Sequence, residues 1–133
     1  MKKIAVVCLF LICAFIMVSC NLTPQVAVLV IRNNSGQEVK DLTFTYEHSR
    51  PDQTKTIKIA SLPNNESVVR ELELVGSSPA IGAGMVSVPG KIEYSINGVE
   101  FNMDKGEGYI DLSDGNKTAI TILADGWKAA REK

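Results

Sequence analysis

Histidine and cysteine are scarce in this chain: one His and three Cys among 133 residues. Two of the cysteines, Cys8 and Cys13, lie in an apolar N-terminal run, so Cys20 is the only thiol beyond it and an internal disulfide framework is excluded there. A zinc site needs three or four N, S or O ligands, which one His and one Cys cannot supply without several carboxylates. An excess of one charge is also missing. Fourteen basic residues face fifteen acidic ones, a net charge of −1, and no Lys/Arg cluster offers the counterion release on which nucleic-acid binding depends. Aromatic residues make up only 6% of the chain, leaving little surface for stacking sugars. Long hydrophobic runs are absent but for Ile4 to Val18, fifteen residues, and a spanning helix needs roughly 20. Repeats and low-complexity tracts are absent as well, and the length allows one globular domain.

The apolar run is itself informative. Met1-Lys2-Lys3 precedes it, Val18-Ser19-Cys20 ends it, and polar Asn21, Thr23, Pro24 and Gln25 follow without a basic stop-transfer cluster. That is the layout of a cleaved export signal. Met17-Val18-Ser19-Cys20 resembles the lipobox of bacterial prolipoproteins, with Met17 where that family mostly has Leu. The resemblance covers the first 20 residues. It implies that the Cys20 thiol is diacylglycerylated, that cleavage precedes Cys20, and that residues 1–19 are lost. The mature protein is then held by acyl chains to the cell membrane or the outer membrane, facing the extracytoplasmic side. Asn21 after the Cys resembles the outer-membrane default of Gram-negative lipoproteins. Residues 20–25 form a short tether, in which the five residues Asn21 to Gln25 span at most about 18 Å, so the domain sits close to the bilayer.

From Val26 the apolar residues recur mostly with period two, bounded by Asn, Gly, Pro and Asp clusters. Strands are predicted over Val26–Arg32, Lys40–Glu47, Thr54–Ala60, Ser67–Leu74, Lys91–Ile96, Val99–Met103, Glu107–Leu112 and Lys117–Leu123. The Ser67–Leu74 stretch also fits a helical stripe through Val68, Val69, Leu72 and Val75. Seven or eight short strands predict an all-β domain over residues 26–125: a single antiparallel β-sandwich, Ig-like or related. Asn97-Gly98 predicts a two-residue type I′ hairpin. It sets Ile96 opposite Val99, Tyr94 opposite Phe101 and Ile92 opposite Met103, an apolar side, while Ser95 faces Glu100 on the wet side. Residues 126–133, Trp127 followed by Lys128-Ala129-Ala130-Arg131-Glu132-Lys133, read as a frayed tail or short helix.

Catalytic signals are weak. His48 lies between Glu47 and Ser49, but neighbours on a strand point to opposite faces and no nucleophile elbow precedes Ser49. Asp104, Glu107, Asp111 and Asp114 are the densest acids and suggest Ca²⁺ by composition, yet they fail the EF-hand spacing. No catalytic residue, metal or cofactor is therefore assigned, and the chain is not expected to be an enzyme. The unusual stretch is Leu74 to Gly90, seventeen residues without a charge and with Gly76, Gly82, Gly84 and Gly90. Read as an exposed loop, it nominates Ile81 and Met85 for binding; read structurally, Met85-Val86-Ser87-Val88 is another strand and the glycines are bulges. The expected function is a lipid-anchored, membrane-proximal module that binds an envelope protein or a peptide. The alternatives are a structural envelope component and, third, a small extracytoplasmic enzyme.

Overall fold

The computed structural model describes residues 25–47, 54–75 and 87–133. Apart from one 3-10 turn at Met103–Lys105, its regular elements are strands, arranged in two sheets. In chain order they are β1 (Gln25–Asn33), β2 (Val39–Glu47), β3 (Thr54–Leu62), β4 (Ser67–Val75), β5 (Ser87–Ile96), β6 (Val99–Phe101), β7 (Gly106–Glu107), β8 (Asp111–Ser113), β9 (Lys117–Leu123) and β10 (Gly126–Glu132). One sheet runs β4-β1-β9-β10-β7; the other runs β3-β2-β5-β6, with β8 added to β5.

A single apolar cluster joins the two sheets. From one come Ala27, Leu29, Ile31, Leu72, Leu74, Ile120, Ile122 and Trp127, and from the other Val39, Leu42, Phe44, Tyr46, Ile92 and Tyr94. Leu42, Phe44 and Tyr46 are buried while Thr43 and Thr45 are half-buried, the alternation of a strand with one face in a core. β1 is a central strand, and Ala27, Leu29, Val30 and Ile31 are all buried, as its near-continuous apolar run requires. Ser67–Val75 is a strand, paired with β1 but for a register shift at Leu74, because that arrangement puts Leu72 and Leu74 inward and Glu71 and Glu73 outward.

The Asn97-Gly98 hairpin has the expected register, Tyr94 with Phe101, Ser95 with Glu100 and Ile96 with Val99, and both turn residues have positive φ (51° and 78°). The Tyr94 and Phe101 rings stack at 5.1 Å. Beyond Phe101 the expectation fails. Asn102 caps the 3-10 turn by accepting from the Asp104 N–H at 2.9 Å, the ladder ends there, and Met103 instead offers its sulfur to the Ile92 N–H at 3.4 Å. Val99 is exposed rather than buried, since the hairpin tip reaches past the core.

Four further expectations are corrected. The pairing is not wholly antiparallel: β1 with β9, and β10 with β7, are parallel. Gly108, at φ 94°, breaks the expected Glu107–Leu112 strand, sending β7 to one sheet and β8 to the other. Gln25, placed in the tether by sequence, already belongs to β1. Finally, residues 126–133 are neither helix nor frayed tail. β10 pairs with β9 from Gly126 opposite Leu123 to Glu132 opposite Lys117, and Trp127 is buried in the core. Burying an indole outweighs the modest helix propensity of Lys-Ala-Ala-Arg-Glu-Lys.

Candidate functional site

Cys20, Ile81 and Met85, together with His48 and Ser49, lie outside the described residues. Of the uncharged Leu74–Gly90 stretch, the described ends are strand: Leu74 and Val88 are buried, and Gly90 lies against the Phe44 ring and Ile110. A Cβ on Gly90 would stand 2.5 Å from Phe44 Cζ, so this glycine permits a close approach in the core.

The four acids considered for calcium are held apart. Glu107 pairs with Lys128 at 2.9 Å, Asp111 with Arg131 at 3.8 Å, and Asp114 accepts from the Val26 N–H at 2.9 Å, while Asp104 stands on the 3-10 turn. Among the described residues no three His, Cys, Asp or Glu side chains converge on a metal-sized site.

Two shallow concavities are present. One, about 280 Å³, is floored by β2, β5 and β6 and lined by Asp41, Thr43, Glu93, Ser95, Glu100 and Asn102. The other, about 210 Å³, lies over Trp127 between Lys105, Glu107, Asp125 and Lys128. Neither places a nucleophile beside a base, and both are below the usual size of a ligand pocket. Burial pushes the Tyr94 hydroxyl well above its ordinary range, and Asp125 adds to the shift, so the phenol is protonated at neutral pH.

The N-terminal end of the domain is firmly held. The Ser113–Asn116 turn clasps the start of β1: Gly115 N–H donates to the Val26 carbonyl, Val28 N–H to the Asn116 carbonyl, both at 3.0 Å, and Val26 N–H to Asp114. Farther along, Arg32 of β1 and Lys117 of β9 both grip Glu132 of β10, at 2.5 and 2.8 Å. These two hydrogen bonds, Arg32 first, lower the Glu132 carboxyl from 4.5 to about 2. A depressed carboxylate stabilises the fold above its unfolded value, and that contribution disappears as the pH falls through the folded one. The urea midpoint of wild type should therefore exceed that of Glu132→Gln at pH 6, with the gap closing between about pH 4.5 and 2. A gap independent of pH would show that the carboxylate charge is not what Arg32 and Lys117 hold.

An exposed flank is formed by two strands. β3 and β4 are consecutive strands joined by Pro63–Glu66, and each is the outermost strand of its sheet, with one ladder partner among the described residues. β3 carries Lys55 and Lys58 and no acid; β4 carries Glu71 and Glu73 beside Arg70, whose guanidinium meets the Val69 carbonyl at 2.9 Å. Both strands expose most of their outward residues, and Val69 is 55% exposed. Sequence reasoning located both strands but not their edge position. The available signal was the paired lysines in a strand with only two large apolar residues before Leu62, a composition typical of an edge. No family model, curated protein or solved structure matches the chain.

Proposed function

We propose that this chain is an exported bacterial lipoprotein, anchored through acylated Cys20 to the extracytoplasmic face of the cell or outer membrane. Its two sheets form a β-sandwich, Ig-like or related, that acts by binding an envelope protein or a peptide. The observation that carries the reading is the short distance between signal and domain. The apolar run ends at Val18-Ser19-Cys20, and β1 begins at Gln25, clasped at once by the Ser113–Asn116 turn. The four residues between Cys20 and Gln25 reach at most about 14 Å, so a partner must itself be at the membrane surface. The nine-residue edge strands β3 and β4, each with one ladder partner among the described residues, support protein binding, because an edge offers a row of backbone donors and acceptors to another chain, whereas the concavities suit a small molecule poorly.

The anchor is tested first. Cys20→Ser should leave an uncleaved precursor and prevent acylation, and mass spectrometry of membrane-bound wild type should show Cys20 as an acylated N-terminus. Unmodified Cys20 in the membrane fraction would refute the lipoprotein reading.

A further inference from the structure

The β3–β4 flank has a symmetry that identifies its occupant. β3 and β4 run in opposite directions, because a four-residue connection, Pro63–Glu66, joins them, and each closes a different sheet. Turning one copy of the domain by 180° about an axis parallel to the strands therefore brings its β4 beside β3 of the first copy, antiparallel, and its β3 beside the first copy's β4. Both edges, unpaired among the described residues, are filled by one operation, and the contact closes on itself without leaving a β3 or β4 edge for a third copy.

We propose that the flank is a self-association surface on which two copies pair β3 with β4 twice, extending each sheet of one copy into the opposite sheet of the other. This rests on the reading of the flank as a protein-binding surface. Charge selects this pairing. With the connecting turns level, Leu62 stands opposite Ser67 of the second copy, and the outward rows match: Ala60 faces Val69, Lys58 faces Glu71 and Thr56 faces Glu73. Opposite charges across a ladder stabilise it and like charges weaken it, and the two-fold repeats each pair. The competing arrangements are poorer. β4 against β4, centred on Leu72, sets Glu71 opposite Glu73 twice, and β3 against β3 gathers four lysines on one seam. In the inward row Ile57 meets Leu72, while Ile59 and Lys55 stand opposite Arg70 and Leu74.

The geometry suits a membrane. Gln25 pairs with Val75, at the end of β4 away from the 63–66 turn, and an axis parallel to the strands keeps that end of both copies on the same side. Both chains leave toward one surface, as two anchors in one bilayer require.

The experiment uses the full chain in bacterial membranes, with photoreactive p-benzoylphenylalanine at exposed position 60. The expected result is a product of twice the chain mass, its cross-link mapping to Ser67–Glu73 of the second copy. Lys58→Glu should lower the yield about tenfold, since attraction becomes repulsion at two symmetric positions. Adding Glu71→Lys to the same chain should restore it. These exposed positions leave the core untouched, so a folding defect does not mimic the pattern. A cross-link to the second copy's β3, or a yield indifferent to both charge changes, overturns the proposed pairing. Cross-links only to other proteins overturn self-association while leaving the protein-binding reading intact, and the absence of any cross-linked protein removes both.

Discussion

Trp127→Ala is expected to destabilise the domain by about 3–5 kcal/mol, the range for deleting a large aromatic from a packed core. The indole is 2% exposed, and its Nε1–H donates to the Asn102 carbonyl at 3.0 Å, so the variant leaves a cavity and removes one of the two hydrogen bonds to that carbonyl, the Lys105 N–H keeping the other. The surroundings are shaped for the ring. A Cβ on Gly106 would lie 1.9 Å from the indole Cζ2, so only glycine lets β7 pass over it. Collapse into the cavity is also limited, because Gly126 is packed against the Lys105 backbone: a Cβ there would stand 2.0 Å from that carbonyl oxygen. Against a typical total of about 5–15 kcal/mol, the loss lowers the denaturation midpoint severely. Far-UV circular dichroism in urea is the suitable measurement, since Trp127 is the only tryptophan and its fluorescence is lost with it. Lys128→Ala, on the exposed face of the same strand, should cost about 0.5 kcal/mol or less. Equal effects at the two positions would mean that β10 is not part of the core and that the C-terminal segment is a tail after all.

That contrast also shows what is legible in a sequence of this kind. The Asn97-Gly98 hairpin could be read because everything that fixes it is local: two residues that accept positive φ, flanked by an alternation that only one register satisfies. β10 could not. Its strand character comes from β9 beside it and from the core beneath Trp127, whereas its own Lys-Ala-Ala-Arg-Glu-Lys composition favours a helix. The parallel pairing of β1 with β9 is more distant still, joining Val28 to Lys117 across most of the domain, and no pattern within either strand encodes the direction of its neighbour. Gly108 illustrates a third limit. The break it makes between β7 and β8 depends on φ 94°, and a lone glycine in an alternating stretch does not announce it.

For the candidate site the balance is less favourable. The proposed anchor rests on contiguous residues, Met17 to Cys20, and so is open to sequence reading. Edge position is a property of what fails to lie beside a strand, and β3 acquires it because no described strand pairs with it on the side away from β2. The lysines of β3 and the glutamates of β4 read individually as solvated charges. They become a complementary pair only when the fold puts both strands on one flank.

Asn33 holds that flank together, and changing it should be nearly as costly as losing the indole. It is fully buried at the end of β1, and its amide has every hydrogen-bonding position filled. Nδ2 donates to the Gln37 carbonyl at 2.7 Å and to the Leu62 carbonyl at 2.8 Å, while Oδ1 accepts from the Ser35 N–H at 3.0 Å and the Ser35 hydroxyl at 2.7 Å. Its backbone joins the β3–β4 turn, donating to the Glu66 carbonyl and accepting from the Asn65 N–H. One side chain thus ties the 34–38 loop and the end of β3 to β1. Asn33→Ala takes the amide partner from the Leu62 carbonyl and the Ser35 N–H, while the Gln37 carbonyl keeps the Ser35 hydroxyl at 2.9 Å; at about 1–3 kcal/mol for each buried group left unpaired, a total near 3 kcal/mol is expected. Asn33→Asp separates hydrogen bonding from packing, because it keeps the shape and the two acceptor contacts but turns an oxygen toward the carbonyls of Gln37 and Leu62. Burial without a counter-ion and two opposed carbonyls together raise that carboxyl above its unfolded value of about 3.9. In the window between the two values the folded state binds the extra proton, so stability falls as pH rises. The Asn33→Asp deficit relative to wild type should therefore be smallest at pH 4, where the protonated acid can donate to one of the two carbonyls, and should grow toward pH 8. Asn33→Ala should show a deficit unchanged by pH over the same range. Urea midpoints of the three proteins at the two pH values decide the matter. An Asp variant whose deficit is flat, or larger at low pH, would mean that the group facing Gln37 and Leu62 is not the donor end of the amide.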